Sequence, residues 1–417
     1  MTYTVRIKPI VTTTIQKYDY IDVLRGLAIL LVIAVHSEQQ IEGLPTLWAS
    51  LFNYGQLGVQ LFFVASALTL CLSMKGRNEN YHIIKFYIRR VFRIAPVYYF
   101  GIVLYFFWRT AKGYYKSQAL QMPDSYNFIG VLENIFFLHG FDPRNFNFVV
   151  PGGWSVATEM TFYAIFPFLY LLQNKLGAKR FIIFSAVTIG LSFVIQYSLI
   201  FLVQPILIDY RLLKGKIFND GFGFIYCSIF NQISVFLIGI ITYQSLGKVI
   251  INKVLIGAFL LLSVFSYYLL NATILSTGMN GFMYPILSSV SFLILALWLS
   301  NPKHKFKSKI SRMLINVGRV SFSMYLLHFL LIDVLRFIYV KFIFVYLTST
   351  ISQLFIFYLS LTAITYYFSK LTFMLIEKPG INFGNRIILK LYQKKELHLC
   401  IPPLKLRPPP RKLDTLN

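Results

Sequence analysis

Apolar stretches of about 17–25 residues, the length a helix needs to cross a bilayer, recur ten times along the chain. They lie at 23–41, 55–74, 94–110, 154–173, 181–202, 223–246, 254–270, 281–300, 320–340 and 350–375. Hydrocarbon offers no water to satisfy backbone N–H and C=O groups, so runs of this length are expected as helices. Composition agrees: 57% of the residues are hydrophobic and only 13% charged, where soluble domains carry about 25% charged residues. The mean hydropathy is +0.63. The expected fold is therefore an all-α integral membrane protein of about ten transmembrane helices. The stretch Ile129 to Gly140, inside the long loop 111–153, is too short to span and is expected as an interfacial or re-entrant helix.

The formal net charge of +25 would suit a nucleic-acid binder, but its placement argues otherwise. With the N-terminus in the cytoplasm, most of the 40 Lys and Arg residues fall in 1–22, 75–93, 175–180, 248–253, 303–319 and 376–417. These segments are all on one side, as the positive-inside rule requires. The first loop on the other side, 38–54, has no Lys or Arg. Ten spans return the C-terminus to the cytoplasm, and no nucleic-acid partner is expected. The division is a cytoplasmic segment 1–22, a transmembrane domain 23–375 and a basic, Pro-rich cytoplasmic tail 376–417. From Gly380 the tail is expected to be disordered against anionic lipid. Residues 1–22 lack the apolar core of a cleavable leader, so the first run stays as a span. Cys71, Cys227 and Cys400 form no metal or disulfide pattern, and no metal is expected.

Ionisable residues inside a span are costly and usually face a cavity or a partner. Arg25 and His36 are eleven residues apart in the first run, close to three helical turns, so they share a face roughly 16 Å apart along the axis. The plainer account has Arg25 reaching lipid phosphates and His36 bonded at the interface. Arg89, Arg90 and Arg93 precede the third run, and Arg90 and Arg93 project to one side. Guanidinium groups bind phosphates bidentately, though charge alone also fits ordinary anchoring. Trp154, Ser155 and Glu159 open the fourth run. Counted from the membrane surface, Glu159 should lie at the depth of His36, where a carboxylate would orient the imidazole as a general base. A plain helix-dipole role competes. Tyr325 and His328 enter the ninth run, where interhelical hydrogen bonding and a place lining a substrate path are both open.

These segments together resemble the type-3 membrane acyltransferases, polytopic bacterial O-acetyltransferases. The resemblance runs from about Asp19 to Pro379 and rests on five motifs in order. They are Arg25-x10-His36, Arg89-Arg90-x-x-Arg93-Ile-x-Pro-x-Tyr-Tyr, Trp154-Ser155-x-x-x-Glu159-x-x-Phe-Tyr, Ser321-x-Ser-x-Tyr325-Leu-x-His328 and Glu377-Lys-Pro379. It implies that Arg25, His36 and Glu159 are catalytic and that Arg89, Arg90 and Arg93 hold acetyl-CoA, the acyl donor. Ser66, Trp154, Ser155, Tyr325 and His328 would line the substrate path. Gly58 to Ser66 looks like the family's second-span motif, with Ala67 where Gly is usual, so close approach of pantetheine there is in question. Phe322 replaces a common Tyr. Without the fused esterase-like domain of some members, the chain is expected to act alone or hand its acyl group to a separate periplasmic or glycan-assembly partner. The acceptor implied is a lipid-linked or exported glycan at the bacterial inner membrane. His36 would serve as base or carry the acyl group briefly. The rival classes are a secondary transporter, which usually shows inverted repeats not visible here, and a non-catalytic membrane partner.

Overall fold

The computed structural model describes residues 18–75, 82–118, 122–214, 221–275 and 280–400. The N-terminal 1–17, and the prolines from Pro402 onward in the expected tail, lie outside the described residues. In chain order the helices are α1 (Asp19–Glu38), α2 (Thr46–Asn53), α3 (Gly58–Lys75), α4 (His82–Ser117), α5 (Phe128–Ile135), α6 (Gly153–Lys214) and α7 (Gly221–Cys227). They continue as α8 (Ile229–Ser245), α9 (Lys253–Leu275), α10 (Asn280–Leu299), α11 (Lys309–Arg319), α12 (Ser321–Phe342), α13 (Thr350–Thr372) and α14 (Lys378–Cys400). No strand occurs among the described residues.

Eight helical stretches among the described residues are long and apolar enough to cross a membrane. Two of the expected runs, 154–173 and 181–202, fall in one helix, α6 (Gly153–Lys214), whose apolar stretch is Gly153–Leu199. It is interrupted at Gly177, whose φ of 73° and ψ of 173° lie where a side chain is strained and glycine is not. The expected run 254–270 falls in a shorter apolar helix. The expected disorder from Gly380 is a correction. A π-helical turn over Phe373–Glu377 leads directly into α14, and Gly380 and Gly384 pack against Pro96 and Phe92 of α4. Ile381, Phe383, Ile387, Ile388 and Leu391 recur at helical spacing, and Ile388 is buried, so a partnered helix wins over a solvated tail.

α1 is central. Leu24, Ala28, Ile29 and Ile33 are fully buried, and glycines let its backbone meet its neighbours directly. A Cβ at Gly26 would strike the Leu314 carbonyl of α11, and one at Gly318 the Asp22 carbonyl. Where lipid supplies no hydrophobic drive between helices, such small-residue contacts are what bring them together. Here they fix the azimuth of α1, and with it the direction of Arg25.

The loop between α4 and α6 turns back into the bundle. α5 exposes Phe128 and Ile129, as an interfacial helix does. Tyr126 donates to the Ile102 carbonyl at 2.7 Å, and Arg109 donates to the Phe148 carbonyl at 2.5 Å. The loop ends against Tyr98 and Tyr325 at Gly152 and Gly153. α6 therefore begins inside the bundle and not at its rim.

Candidate active site

A cavity containing about 600 Å³ of empty space, its mouth included, opens between α1, α3, α4, α6 and α12. Arg25, Ser66, Arg93, Glu159, Tyr163 and Tyr325 are on its wall. The Glu159 carboxylate accepts from Ser66 Oγ at 2.5 Å and from the Tyr163 hydroxyl. Arg25 donates to Thr69 Oγ1 at 3.1 Å and lies 3.9 Å from Asp22, which Arg319 approaches at 3.6 Å. The Arg90 guanidinium lies 5.7 Å from the centres of both the Phe86 and Tyr163 rings, within cation–π range. Its Nε is buried without a hydrogen-bond partner among the described residues. Arg93 makes no hydrogen bond or ion pair among the described residues. Arg25, Arg93 and Glu377 interact electrostatically, and Glu377 is buried and accepts from Ser323 Oγ at 2.8 Å.

The depth expected for Glu159 needs correction. It sits with Arg25 and Arg90, whose charges act on it, and not with His36. Six residues separate Glu159 from Gly153, about 9 Å of helix, and that helix starts deep in the bundle. Counting from the membrane surface therefore placed it too far out. Of Arg89, Arg90 and Arg93, only Arg93 lines the cavity.

His36 belongs to a second group. Its Nδ1 lies 2.8 Å from Gln39 Oε1. Its ring centre is 5.3 Å from that of His328 and 4.5 Å from that of Phe329. His36 and His328 are both off the cavity wall. Between the two groups stands Tyr325. It receives a hydrogen bond from Ser155 Oγ at 2.8 Å and donates to the Gly152 carbonyl at 3.0 Å. Its ring is 5.5 Å from that of His328. Trp154 turns aside toward Phe63 and Tyr226. Ala67 does not line the cavity: its Cβ lies over Gly239 of α8, where a second Cβ would come within 2.7 Å.

His139 escaped the sequence reading. It is buried, its Nε2 donates to the Gly153 carbonyl at 3.0 Å, and Tyr98 lies 3.1 Å away. It thus pins the start of the helix that carries Ser155 and Glu159. Burial holds its pKa below the ordinary imidazole value, against the opposing pull of the Gly153 and Glu133 carbonyls. The available signal was a lone histidine in the short apolar segment, with no charged residue between Glu133 and Asp142. Tyr163 and Glu377 were visible only as members of motifs.

A family model for the type-3 acyltransferase domain matches residues 18–370. No curated protein and no solved structure matches. With most of its length matched, the chain belongs to the type-3 acyltransferase family, multi-pass membrane acyltransferases.

Proposed function

We propose that this acyltransferase moves an acetyl group from acetyl-CoA to a hydroxyl of a lipid-linked or exported glycan at the bacterial inner membrane. Ten spans with both termini cytoplasmic give the site its two faces. Coenzyme A enters from the cytoplasm with phosphates on Arg90 and Arg93, and its pantetheine arm lies in the cavity past Arg25 and Glu159. The thioester reaches Tyr325 and Ser155, next to His36. His36 takes the proton of the acceptor hydroxyl as its oxygen attacks the thioester carbonyl. The C–S bond breaks and the coenzyme A thiolate leaves. Excluding water from such a site limits hydrolysis of the thioester.

The observation that carries this reading is a cavity with a guanidinium, Arg93, on its wall that makes no hydrogen bond among the described residues, and the buried Nε of Arg90 behind it, also without a hydrogen-bond partner there, one hydroxyl layer from an imidazole pair. Guanidinium groups of this kind suit a polyanionic donor. The test is transfer of radiolabelled acetyl to endogenous glycan in membrane vesicles at matched protein level. His36→Ala should lose two or more orders of magnitude, the usual share of a general base. Full transfer by His36→Ala would remove the mechanism. Cysteine labelling should find Gly43 accessible from outside and Lys305 only from inside. The reverse would put the arginines in the wrong compartment.

A further inference from the structure

His328 is fully buried on α12, and its Nδ1 lies 2.6 Å from the Tyr325 carbonyl. A carbonyl oxygen only accepts, so the proton of this imidazole is on Nδ1 and Nε2 is a bare lone pair. No hydrogen-bond partner reaches that Nε2 among the described residues. A buried acceptor left unmade is expensive and is worth explaining where it occurs. The neighbouring ring is His36, with centres 5.3 Å apart and planes inclined by 32°. That separation is too wide for stacking, but it is close to what two imidazoles joined end to end by an N–H···N bond of about 3 Å require.

We infer that His328 is a positioning residue for His36, its bare Nε2 waiting to receive an N–H from the His36 imidazolium formed during transfer. This rests on the function proposed above and extends it. The His36 Nε2–H donates to that lone pair, so the proton of the acceptor hydroxyl is taken on Nδ1. This is the nitrogen that Gln39 Oε1 now meets at 2.8 Å and that the acceptor hydroxyl reaches by displacing Gln39. The new cation is held in a buried site with one acceptor ready-made. The proton remains on His36 and is returned to the departing thiolate, so no net charge is left behind. A base oriented by a third group is the general arrangement of nucleophile-activating sites. Here the third group is neutral, and its tautomer is fixed by a backbone carbonyl. The other titratable groups beside it among the described residues are hydroxyls: Tyr325 on its own helix and Tyr105 of α4, bonded to the Leu326 carbonyl and the Leu330 N–H. Asp333, farther along α12, is engaged by Lys112 at 2.8 Å.

Two substitutions separate this role from packing. His328→Asn keeps a donor for the Tyr325 carbonyl and removes the acceptor at Nε2. His328→Gln can put a carbonyl oxygen where Nε2 was. In the vesicle assay His328→Asn should lose about a hundredfold in kcat with the KM for acetyl-CoA nearly unchanged, and His328→Gln should recover about tenfold of it. Equal losses in the two, or a loss confined to KM, would overturn the inference. A readout independent of transfer uses protein with 15N-labelled histidine in lipid nanodiscs, acidified until His36 carries its second proton. A scalar coupling across an N–H···N bond between His36 and His328 should appear. Its absence, or a proton on His328 Nε2 at neutral pH, would sink the relation even if the wild type proved to be an active acetyltransferase. Its presence would stand even if another acyl acceptor were found.

Discussion

Glu159 accepts a hydrogen bond from Ser66 across the gap between α6 and α3, oxygen to oxygen 2.5 Å. The contact ties two elements 93 residues apart and holds the carboxylate at the level of Arg25. Glu159→Gln should therefore act through the donor cavity. Its expected effect is a several-fold rise in the KM for acetyl-CoA, with the acid limb of the pH–rate profile where the wild type has it. A charged acceptor has been replaced by a neutral one, a loss of order 1–2 kcal/mol. A displaced acid limb with an unchanged KM would return Glu159 to the side of His36.

Arg93 and Arg90 differ in what surrounds them, and their variants should differ too. Arg93→Ala removes a guanidinium from the cavity wall and should raise the KM for acetyl-CoA about tenfold, as expected when a charged hydrogen bond of roughly 1.5–3 kcal/mol is lost. Arg90→Lys should restore only part of what Arg90→Ala loses, because an ammonium neither forks nor lies flat on Tyr163 and Phe86 as a guanidinium does. Unchanged donor binding in the double alanine variant would reduce the cluster to membrane anchoring.

Ala67 and Gly239 form a complementary pair between α3 and α8. Gly239→Ala would bring two Cβ atoms to 2.7 Å and the new one to 3.0 Å from the Val64 carbonyl, so the helices must part at a cost of roughly 1–3 kcal/mol. Thermal melting in detergent should show the loss. Adding Ala67→Gly should reverse most of it, since the small residue then faces the large one again. No recovery in the double variant would mean that the Val64 backbone, and not Ala67, sets the limit.

Acidity should loosen the loop between α4 and α6. His139 is held neutral by burial, with a pKa below the usual value of about 6.5. Its share of stability is complete above that value and is lost as pH falls below it, because the unfolded loop binds the proton more readily. Glu133, whose carboxyl is raised by burial, works in the opposite sense at lower pH, so the window to read is about pH 7 to 6. Amide protection factors over residues 122–152 should fall as the pH is lowered across it, and His139→Gln should flatten the dependence. An equally steep dependence in His139→Gln would assign it elsewhere.

Much of this was legible because the bilayer length is a strict ruler. The apolar runs, and the order of Arg25, Arg93, Glu159 and His328 along them, needed no tertiary knowledge. Depth did not follow from order. Placing Glu159 from the membrane surface presumes that a helix begins there, and α6 begins against Tyr325, inside. That displacement comes from a loop whose contacts, Arg109 to Phe148 and His139 to Gly153, are long-range and leave no periodicity. The same blindness hid α14, whose pairing with Phe92 and Pro96 outweighs a composition that looks solvated.

A bundle that carries charge in from one face and imidazoles toward the other risks becoming a channel. Joined, the two would be a wet thread across the hydrocarbon and would drain the ion gradients the membrane exists to hold. The Ser155–Tyr325–Gly152 knot closes that thread with three hydroxyl and carbonyl groups already bonded to one another, leaving none to solvate a passing ion. A seam closed in this way separates the charged cavity from the imidazole pair, so both can sit within one bundle without forming a conduit for ions.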